Sequence, residues 1–381
     1  MVDLIITVIW LLLAKVAISV RTIKQKRNTE RMRYLFPLSQ WNGQRQFQKP
    51  VWVYPAHLAA YATHLRNEGH EVVWGPEATD LDPYVLTDIR LGKHKAIAIE
   101  NDFQINVPFD KLPFPDRTFT DAKNKRWQSY GNYKLHPATH MMASNLCWWG
   151  KCTFCIDTAK LQAGEKRGLR PVAHVLEEID DLIRLGFKEV FDDSGTFPIG
   201  DWLDDFCREM IRSGRNKKIM WGCNMKPIAE KVVPFKLMKE AGCRFMLVGV
   251  ESANQKTIDL IHKGQESNKV IENMKAMNDA GLEVHLTSMF GYSWETHEDA
   301  MRTVNLVHYL LREGYVKTAQ ASVYMPPRTA PDPNSPSQRY IQEVYSAYRK
   351  PWYWWRKVRD LRSWEDLTYL LRRIGHVKHA E

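Results

Sequence analysis

The chain has 381 residues, 44% of them hydrophobic, with six cysteines and a formal net charge of +10. That length holds one large domain with an appendage, or two domains, and the hydrophobic share is ample for a core. So few cysteines in so long a chain exclude a disulfide-built secreted scaffold and point to a reducing compartment.

Residues 4–20 carry no charge except Lys15 and come near the lower length limit for a membrane-spanning helix. Arg21, Lys24, Lys26, Arg27, Arg31 and Arg33 follow at once. By the positive-inside rule this expects a cytoplasmic protein, anchored by residues 4–20 to the cytoplasmic face of the membrane. Lys15 lies close enough to that end to snorkel toward headgroups. A buried or interfacial helix is the other reading of the same stretch. Asp3 and the lack of a basic start argue against a cleaved signal peptide. Residues 1–34 are therefore set apart as a hydrophobic helix with a basic linker.

In residues 35–134, Val51–Tyr54, Ala56–Asn67, Gly69 and Glu71–Trp74 resemble the first strand, helix and second strand of a cobalamin-binding domain, so a reduced, cobalamin-binding-like α/β region is expected. The segment Leu112-Pro-Phe-Pro-Asp-Arg117 resembles that domain's exit linker, and fewer than forty residues separate it from the second strand. That is too few to complete a doubly wound sheet, so a truncated Rossmann-like region is expected.

Cys147, Cys152 and Cys155 stand within nine residues, on a loop after a short strand. Three thiolates from one loop can hold three irons of a four-iron, four-sulfur cluster and leave the fourth open to a ligand. A structural zinc site is the competing reading. It wants four ligands, commonly as two pairs, and no second Cys-x-x-Cys exists in the chain. Accidental grouping is the third reading. Cys207, Cys223 and Cys243 are scattered singly, on a helix face or beside strands, and read as small buried hydrophobes.

From residue 135 to 330 a strand, loop and helix unit repeats, beginning with a strand at 139–143. Pro171 opens a helix in which Val172, Val175, Ile179, Leu182 and Ile183 keep helical spacing, and Gly186 stops it. The strand 189–191 follows. A helix marked by Trp202, Leu203, Phe206, Cys207 and Met210 then ends at Gly214, before the strand 219–221. The unit recurs as helix 235–241 and strand 244–250, helix 270–280 and strand 283–290, and helix 296–312 and strand 318–324. Alternation of this length implies parallel pairing with right-handed crossovers. Six strands predict a partial (β/α)6 TIM-type barrel within an α/β fold.

In such a barrel the chemistry gathers at the carboxyl ends of the strands. The cysteine loop follows the first strand; Asp192, Asp193, Ser194 and Thr196 follow the second, and Asn224 the third. Glu251 and Ser252 follow the fourth, and Gly291, Tyr292, Ser293 and Glu295 the fifth. Each alone reads as a turn or helix-cap residue. Their convergence on one barrel end reads as a site.

Residues 331–381 read as a basic, Trp-rich helical extension: Arg349-Lys350, Arg356-Lys357, Arg359, Arg362 and Arg372-Arg373 interleave with Trp352, Tyr353, Trp354, Trp355 and Trp364. The pattern suits nucleic acid or a membrane interface, and equally a helical cap with a solvated basic face. Beside the apolar segment 4–20, the membrane is preferred and nucleic acid is not expected.

The cysteine run with Phe154, Phe191-Asp-Asp-Ser-Gly-Thr-Phe197, Cys223-Asn-Met225, Gly249-Val-Glu-Ser252 and Lys263 resemble the radical S-adenosylmethionine (SAM) enzymes, within the group that carries a cobalamin-binding N-terminal domain. The resemblance covers about residues 110–350. It implies a [4Fe-4S] cluster on Cys147, Cys152 and Cys155, whose open iron chelates SAM. Reductive cleavage of SAM would then give a 5'-deoxyadenosyl radical that abstracts hydrogen from a substrate. It further implies that Phe154 packs near adenine and that Asp192, Asp193 and Ser194 meet the methionyl amine. Asn224, Glu251 and Ser252 would meet the ribose or the carboxylate, and Gly291 to Ser293 would approach adenine through backbone. Four residues between Cys147 and Cys152, where the family has three, depart from its pattern, and Gly150 lies where a bulge needs it. No Asp-x-His-x-x-Gly cobalamin signature is present, so no cobalamin is expected. The implied partners are a small-molecule or lipid substrate and an external reductant such as flavodoxin or ferredoxin. A membrane-associated Fe–S electron-transfer or scaffold protein without SAM catalysis is the alternative from a different class.

Overall fold

The computed structural model describes residues 33–36, 55–74, 96–98, 107–125, 127–129, 132–228, 232–325 and 336–377. The apolar segment 4–20 and the expected strand 51–54 lie outside them. Among the described residues no helix is long and apolar enough to cross a membrane. Two compact units divide the chain, residues 1–41 with 61–104, and residues 42–60 with 105–381.

In the first unit β1 (Arg33–Phe36) pairs in parallel with β2 (Glu71–Trp74) on one side and β3 (Ala96–Ala98) on the other. Neither β1 nor β3 was expected. β1 falls across the boundary of the basic linker, and a three- or four-residue strand is too short to show alternation. The expected helix forms as α1 (Ala56–Asn67), burying Leu58, Ala59, Ala62 and Leu65.

The second unit holds a six-stranded parallel sheet curled into a half-barrel, its strands ordered as in the chain: β4 (Ala138–Met141), β5 (Glu189–Asp192), β6 (Met220–Met225), β7 (Cys243–Glu251), β8 (Glu283–Phe290) and β9 (Thr318–Val323). Between β4 and β5 lie α2 (Ile156–Gln162) and α3 (Val172–Arg184), and α4 (Asp201–Arg212) joins β5 to β6. α5 (Phe235–Glu240) precedes β7; α6 (Gln255–Leu260) and α7 (Val270–Asp279) precede β8; α8 (His297–Glu313) precedes β9. The apolar stripe of α3 fully buries Val175, Ile179 and Leu182, as its spacing predicts. Thr296 and Asp299 close a capping box on α8, and Gly314 ends it at φ 88°, a left-handed position that glycine takes without strain. Phe197, Phe206 and Trp221 pack ring on ring between α4 and the sheet, with centroids 5.2 to 5.8 Å apart.

Two boundaries differ from expectation in a way that matters. β6 runs on to Met225 and β7 to Glu251, so Asn224 and Glu251 are strand residues rather than loop residues. Cys207, Cys223 and Cys243 are buried, on α4, β6 and β7.

Beyond β9 come α9 (Ser337–Ser346), α10 (Pro351–Arg359) and α11 (Trp364–Val377). β9 is an edge strand, and tyrosines cover its open backbone. The Ala319 amide donates to Tyr348 Oη at 2.6 Å and the Ala321 amide to Tyr345 Oη at 3.2 Å. At the amino ends of the strands, Arg244 bonds Glu189 and reaches Glu283 at 2.8 Å, and Lys134 pairs with Asp366 of α11.

Candidate functional site

The cysteine loop begins where β4 ends, and β5 holds its entrance. Asp192, fully buried, accepts the Ala143 amide at 2.7 Å through one oxygen and the Ser194 amide at 2.9 Å through the other. Ser194 Oγ accepts the Ser144 amide at 2.9 Å. These two side chains are thus occupied by the backbone that leads into the loop, and they do not face the mouth. Burial, opposed only in part by those hydrogen bonds, pushes the Asp192 carboxyl up to about 7. Asp193 is the member of the trio that reaches solvent. Asn224 Nδ2 donates to its carboxylate at 3.4 Å and to the Ser194 carbonyl at 2.9 Å, so Asp193, just past β5, and Asn224 of β6 meet at the mouth.

Within the loop, Cys147 and Cys152 are buried and Cys155 is half-buried, directly ahead of α2. The Cys147 amide donates to Asp157 Oδ2 at 2.8 Å, and its thiol donates to Thr196 Oγ1 at 3.2 Å. Gly150 takes φ 57°, the left-handed turn expected of the extra residue. That turn carries Trp149 outward, where its indole N–H donates to the His262 carbonyl at 2.8 Å. Thr153 donates its amide to the Ile261 carbonyl at 3.1 Å. The loop is therefore clasped to the segment that follows α6.

That segment brings Lys263 toward the thiols, and Lys226, just past β6, joins it. Lys263 pairs with Glu251 at 2.8 Å, both buried, and Glu251 sits at φ 65°, strained for a residue with a side chain. Lys226 donates to the Lys263 carbonyl at 2.7 Å and stands 3.5 Å from the Trp149 ring centroid. Burial, and then the charge of Lys263, lower Lys226 to about 8. Burial also depresses Lys263, but Glu251 and the Cys152 thiol outweigh it, and Lys263 stands above the ordinary lysine value. Burial raises the Cys152 thiol as well, and that of Cys155 to about 11. Lys226, Trp149 and Asp157 were not among the expected cofactor-binding residues, because none carries a spacing signal of its own, and Lys263 entered only as part of the resemblance, with no role assigned.

On the far wall Phe154 joins Tyr292, Trp294 and Tyr324 over Ile258, Ile261 and Met289. The Gly291 amide donates to Glu295 Oε2 at 2.8 Å, while Glu295 Oε1 and Tyr292 Oη are buried without a hydrogen-bond partner. Burial pushes Glu295 up to about 7. Ser252 faces away, engaging Thr303 and the Asn254 amide at the start of α6, and Ser293 is exposed. Of the expected residues, then, the mouth gathers the cysteines, Phe154, Asp193, Asn224, Glu251 and Gly291. Asp192, Ser194 and Ser252 support it from behind.

The donor set fits an iron–sulfur group. The charges of Lys263 and Lys226 favour ionisation of Cys152, and metal binding would take the thiol protons. Among the described residues no group of three Cys, His, Asp or Glu side chains is placed to hold a single metal ion. A cubane instead spreads its cysteine sulfurs over three irons. Tyr292 Oη and Glu295 Oε1 add two buried polar atoms to the aromatic wall beside Phe154.

The sequence profile of the radical SAM superfamily matches residues 141–307. Curated relatives include an uncharacterized methyltransferase of Pyrococcus horikoshii, 28% identical over 162 residues, 42% of this chain and 34% of that one. The anaerobic magnesium-protoporphyrin IX monomethyl ester cyclase of Rubrivivax gelatinosus is 24% identical over 182 residues, 46% of this chain and 31% of the other. The matched stretch thus spans about a third of each relative's length. Among solved structures, the cobalamin-dependent SAM radical enzyme OxsB aligns at TM-score 0.43 with 15% identity, over 75% of this chain and 44% of its own. The radical SAM methyltransferase TsrM of Kitasatospora setae aligns at TM-score 0.41 with 17% identity, over 50% and 36%.

Proposed function

With residues 141–307 a domain of the radical SAM superfamily, we propose that this chain is an enzyme that holds a [4Fe-4S] cluster on Cys147, Cys152 and Cys155 and cleaves SAM to abstract hydrogen from a small or hydrophobic substrate. When bound, the cluster and SAM supply reductive cleavage of the sulfonium and the carbon-centred radical. The chain's own residues bind, orient and keep the mouth dry.

The observation that carries this reading is the junction of the thiol loop with the Glu251–Lys263 pair, through Trp149, Thr153 and Lys226. Lys226 and Lys263 offset the negative charge of a thiolate-bound cluster. Asp193, held by Asn224, offers a carboxylate to the amine of an amino-acid ligand. Phe154, Tyr292 and Tyr324 offer apolar and aromatic surface to a base. The Tyr292 hydroxyl and Glu295 Oε1 offer hydrogen bonds for its polar edge. Electrons would come from a one-electron carrier of the flavodoxin or ferredoxin kind. Methyl transfer and ring closure, the activities named for the two curated relatives, are the reaction classes to assay first. The reading assigns no role to cobalamin, and added hydroxocobalamin is expected to elute apart from the protein on gel filtration.

Anaerobic reconstitution with iron and sulfide tests it. The expected result is about four irons per chain, a reduced-cluster electron paramagnetic resonance signal that shifts on adding SAM, and 5'-deoxyadenosine after dithionite. A signal indifferent to SAM, with no 5'-deoxyadenosine, would leave an electron-transfer or scaffold protein instead.

A further inference from the structure

The C-terminal helices turn two different faces outward and inward. Inward, Tyr353 and Arg356 of α10 are buried, Arg356 donates to the Val316 carbonyl at 3.1 Å, and Trp354 donates to the Tyr348 carbonyl at 2.8 Å. Outward, Trp355 is 71% exposed and Val358, three residues on, 55%. On α11 Trp364 is 72% exposed and Leu371, seven residues on, 57%. Four of the ten large hydrophobic side chains exposed among the described residues fall between Trp355 and Leu371. Scattered exposed hydrophobes are ordinary, whereas a concentration on one pair of helices marks an interaction surface.

The charge around this face has one sign in excess. Arg359 follows Trp355 at four residues, on its side of α10, Arg362 is exposed in the turn between α10 and α11, and Arg349 and Lys350 are exposed just ahead of α10. Against them stand Glu365, Asp360 and Asp366. Asp360 pairs with Lys317 at 3.1 Å and also touches Arg359, and Asp366 pairs with Lys134. Exposed tryptophan beside aliphatic side chains, rimmed by arginine, is the chemistry of a helix lying in a headgroup layer. Nucleic acid would use the indoles and the arginines but offers nothing to Val358 and Leu371. The same chemistry occurs a second time in the chain, where the apolar residues 4–20 precede Arg21, Lys24, Lys26 and Arg27.

We infer that the outer face of α10 and α11 rests on an anionic lipid bilayer. Trp355, Val358, Trp364 and Leu371 enter the headgroup and acyl boundary, and Arg359 and Arg362 meet lipid phosphates. This assignment stands independently of any cluster in the barrel. It holds the half-barrel at a membrane surface, where a hydrophobic substrate would be concentrated.

Cosedimentation of the full chain with phosphatidylcholine vesicles, with and without phosphatidylglycerol, tests the inference. Partition is expected to favour the anionic vesicles and to fall at least about tenfold in R359E/R362E. A comparable loss is expected in W355S/W364S, with far-ultraviolet circular dichroism and melting temperature unchanged in both. Hydrogen exchange of residues 351–371 is expected to slow on anionic vesicles. Equal partition of both variants with the unaltered chain, or exchange in 351–371 indifferent to vesicles, would assign any membrane binding to residues 4–20 alone and overturn the inference. Salt-sensitive RNA binding without vesicle binding, or a dimer dispersed by W355S/W364S, would overturn it in favour of nucleic acid or a second copy.

Discussion

At the amino ends of the strands Arg244 lies between Glu189 and Glu283, and Lys134 joins Glu283 to Asp366. Glu283 stays below the ordinary glutamate range even though burial pushes it upward, because Arg244 and Lys134 flank it. At the carboxyl ends of the same sheet, burial raises Asp192 and Glu295 to about 7 and lowers Lys226 to about 8. The first end has matched its charges within the protein. The second keeps buried groups away from their ordinary ionisation, with the Tyr292 hydroxyl and one Glu295 oxygen unpartnered. The contrast is what a parallel barrel predicts, with stability built at one end and chemistry at the other. It also gives each end a different way to fail.

The largest effect is expected at the amino end. Arg244→Met leaves Glu189 buried without its cation and is expected to cost about 3–5 kcal/mol in urea unfolding, while the fraction that still folds loads iron normally. Full iron loss with no change in stability would erase the contrast. Next comes Asp192→Asn, which turns an amide NH2 toward one of two backbone N–H donors. It is expected to destabilise by about 1–3 kcal/mol, read as a drop in melting temperature. Gly264→Ala probes the clasp on the cysteine loop. Gly264 has φ 60°, and a Cβ there overlaps the Trp149 ring. Its stability cost is expected to be about 1–2 kcal/mol, with iron per chain after reconstitution falling severalfold. Full iron loading in this variant would show that the clasp does not shape the thiol loop.

The half-barrel was legible because its signals are periodic and long. The α3 stripe, the Gly186, Gly214 and Gly314 stops and the strand runs all recur with the period their structure needs. The thiols and the bulge at Gly150 were legible because spacing within one loop is local. What was not legible is which of two adjacent side chains faces inward at a strand end. Asp192 and Asp193 look equivalent in sequence, yet alternation sends Asp192 into the wall and Asp193 to the mouth. Extending β7 to Glu251 through the register shift after Gly249 likewise decides where that carboxylate points. Lys226, Lys263 and Trp149 come together from segments up to 114 residues apart, which no single-sequence pattern records. β1 and β3 escaped notice for the opposite reason, being too short to have a period.

The effect most specific to the mouth is a slope with pH rather than a fixed loss. Glu295 is raised to about 7 by burial, and its Oε2 accepts the Gly291 amide, a bond that a glutamine would keep. Its ordinary value is near 4.5. Below that pH both folded and unfolded chains hold the proton and the carboxyl contributes no slope. Between about 4.5 and 7 the unfolded chain releases the proton while the folded one retains it, so stability falls as pH rises, by at most about 1.4 kcal/mol per unit. Glu295→Gln removes the titration, and the difference in unfolding free energy between the unaltered protein and the variant should therefore decline across that window and level off above it. A difference that is flat with pH would mean that water already reaches Glu295 Oε1 and that the mouth is wet before any ligand arrives. A ligand that donates a hydrogen bond to this oxygen would favour the carboxylate and pull its value back down, so the same titration repeated with SAM reports whether the carboxyl faces the ligand.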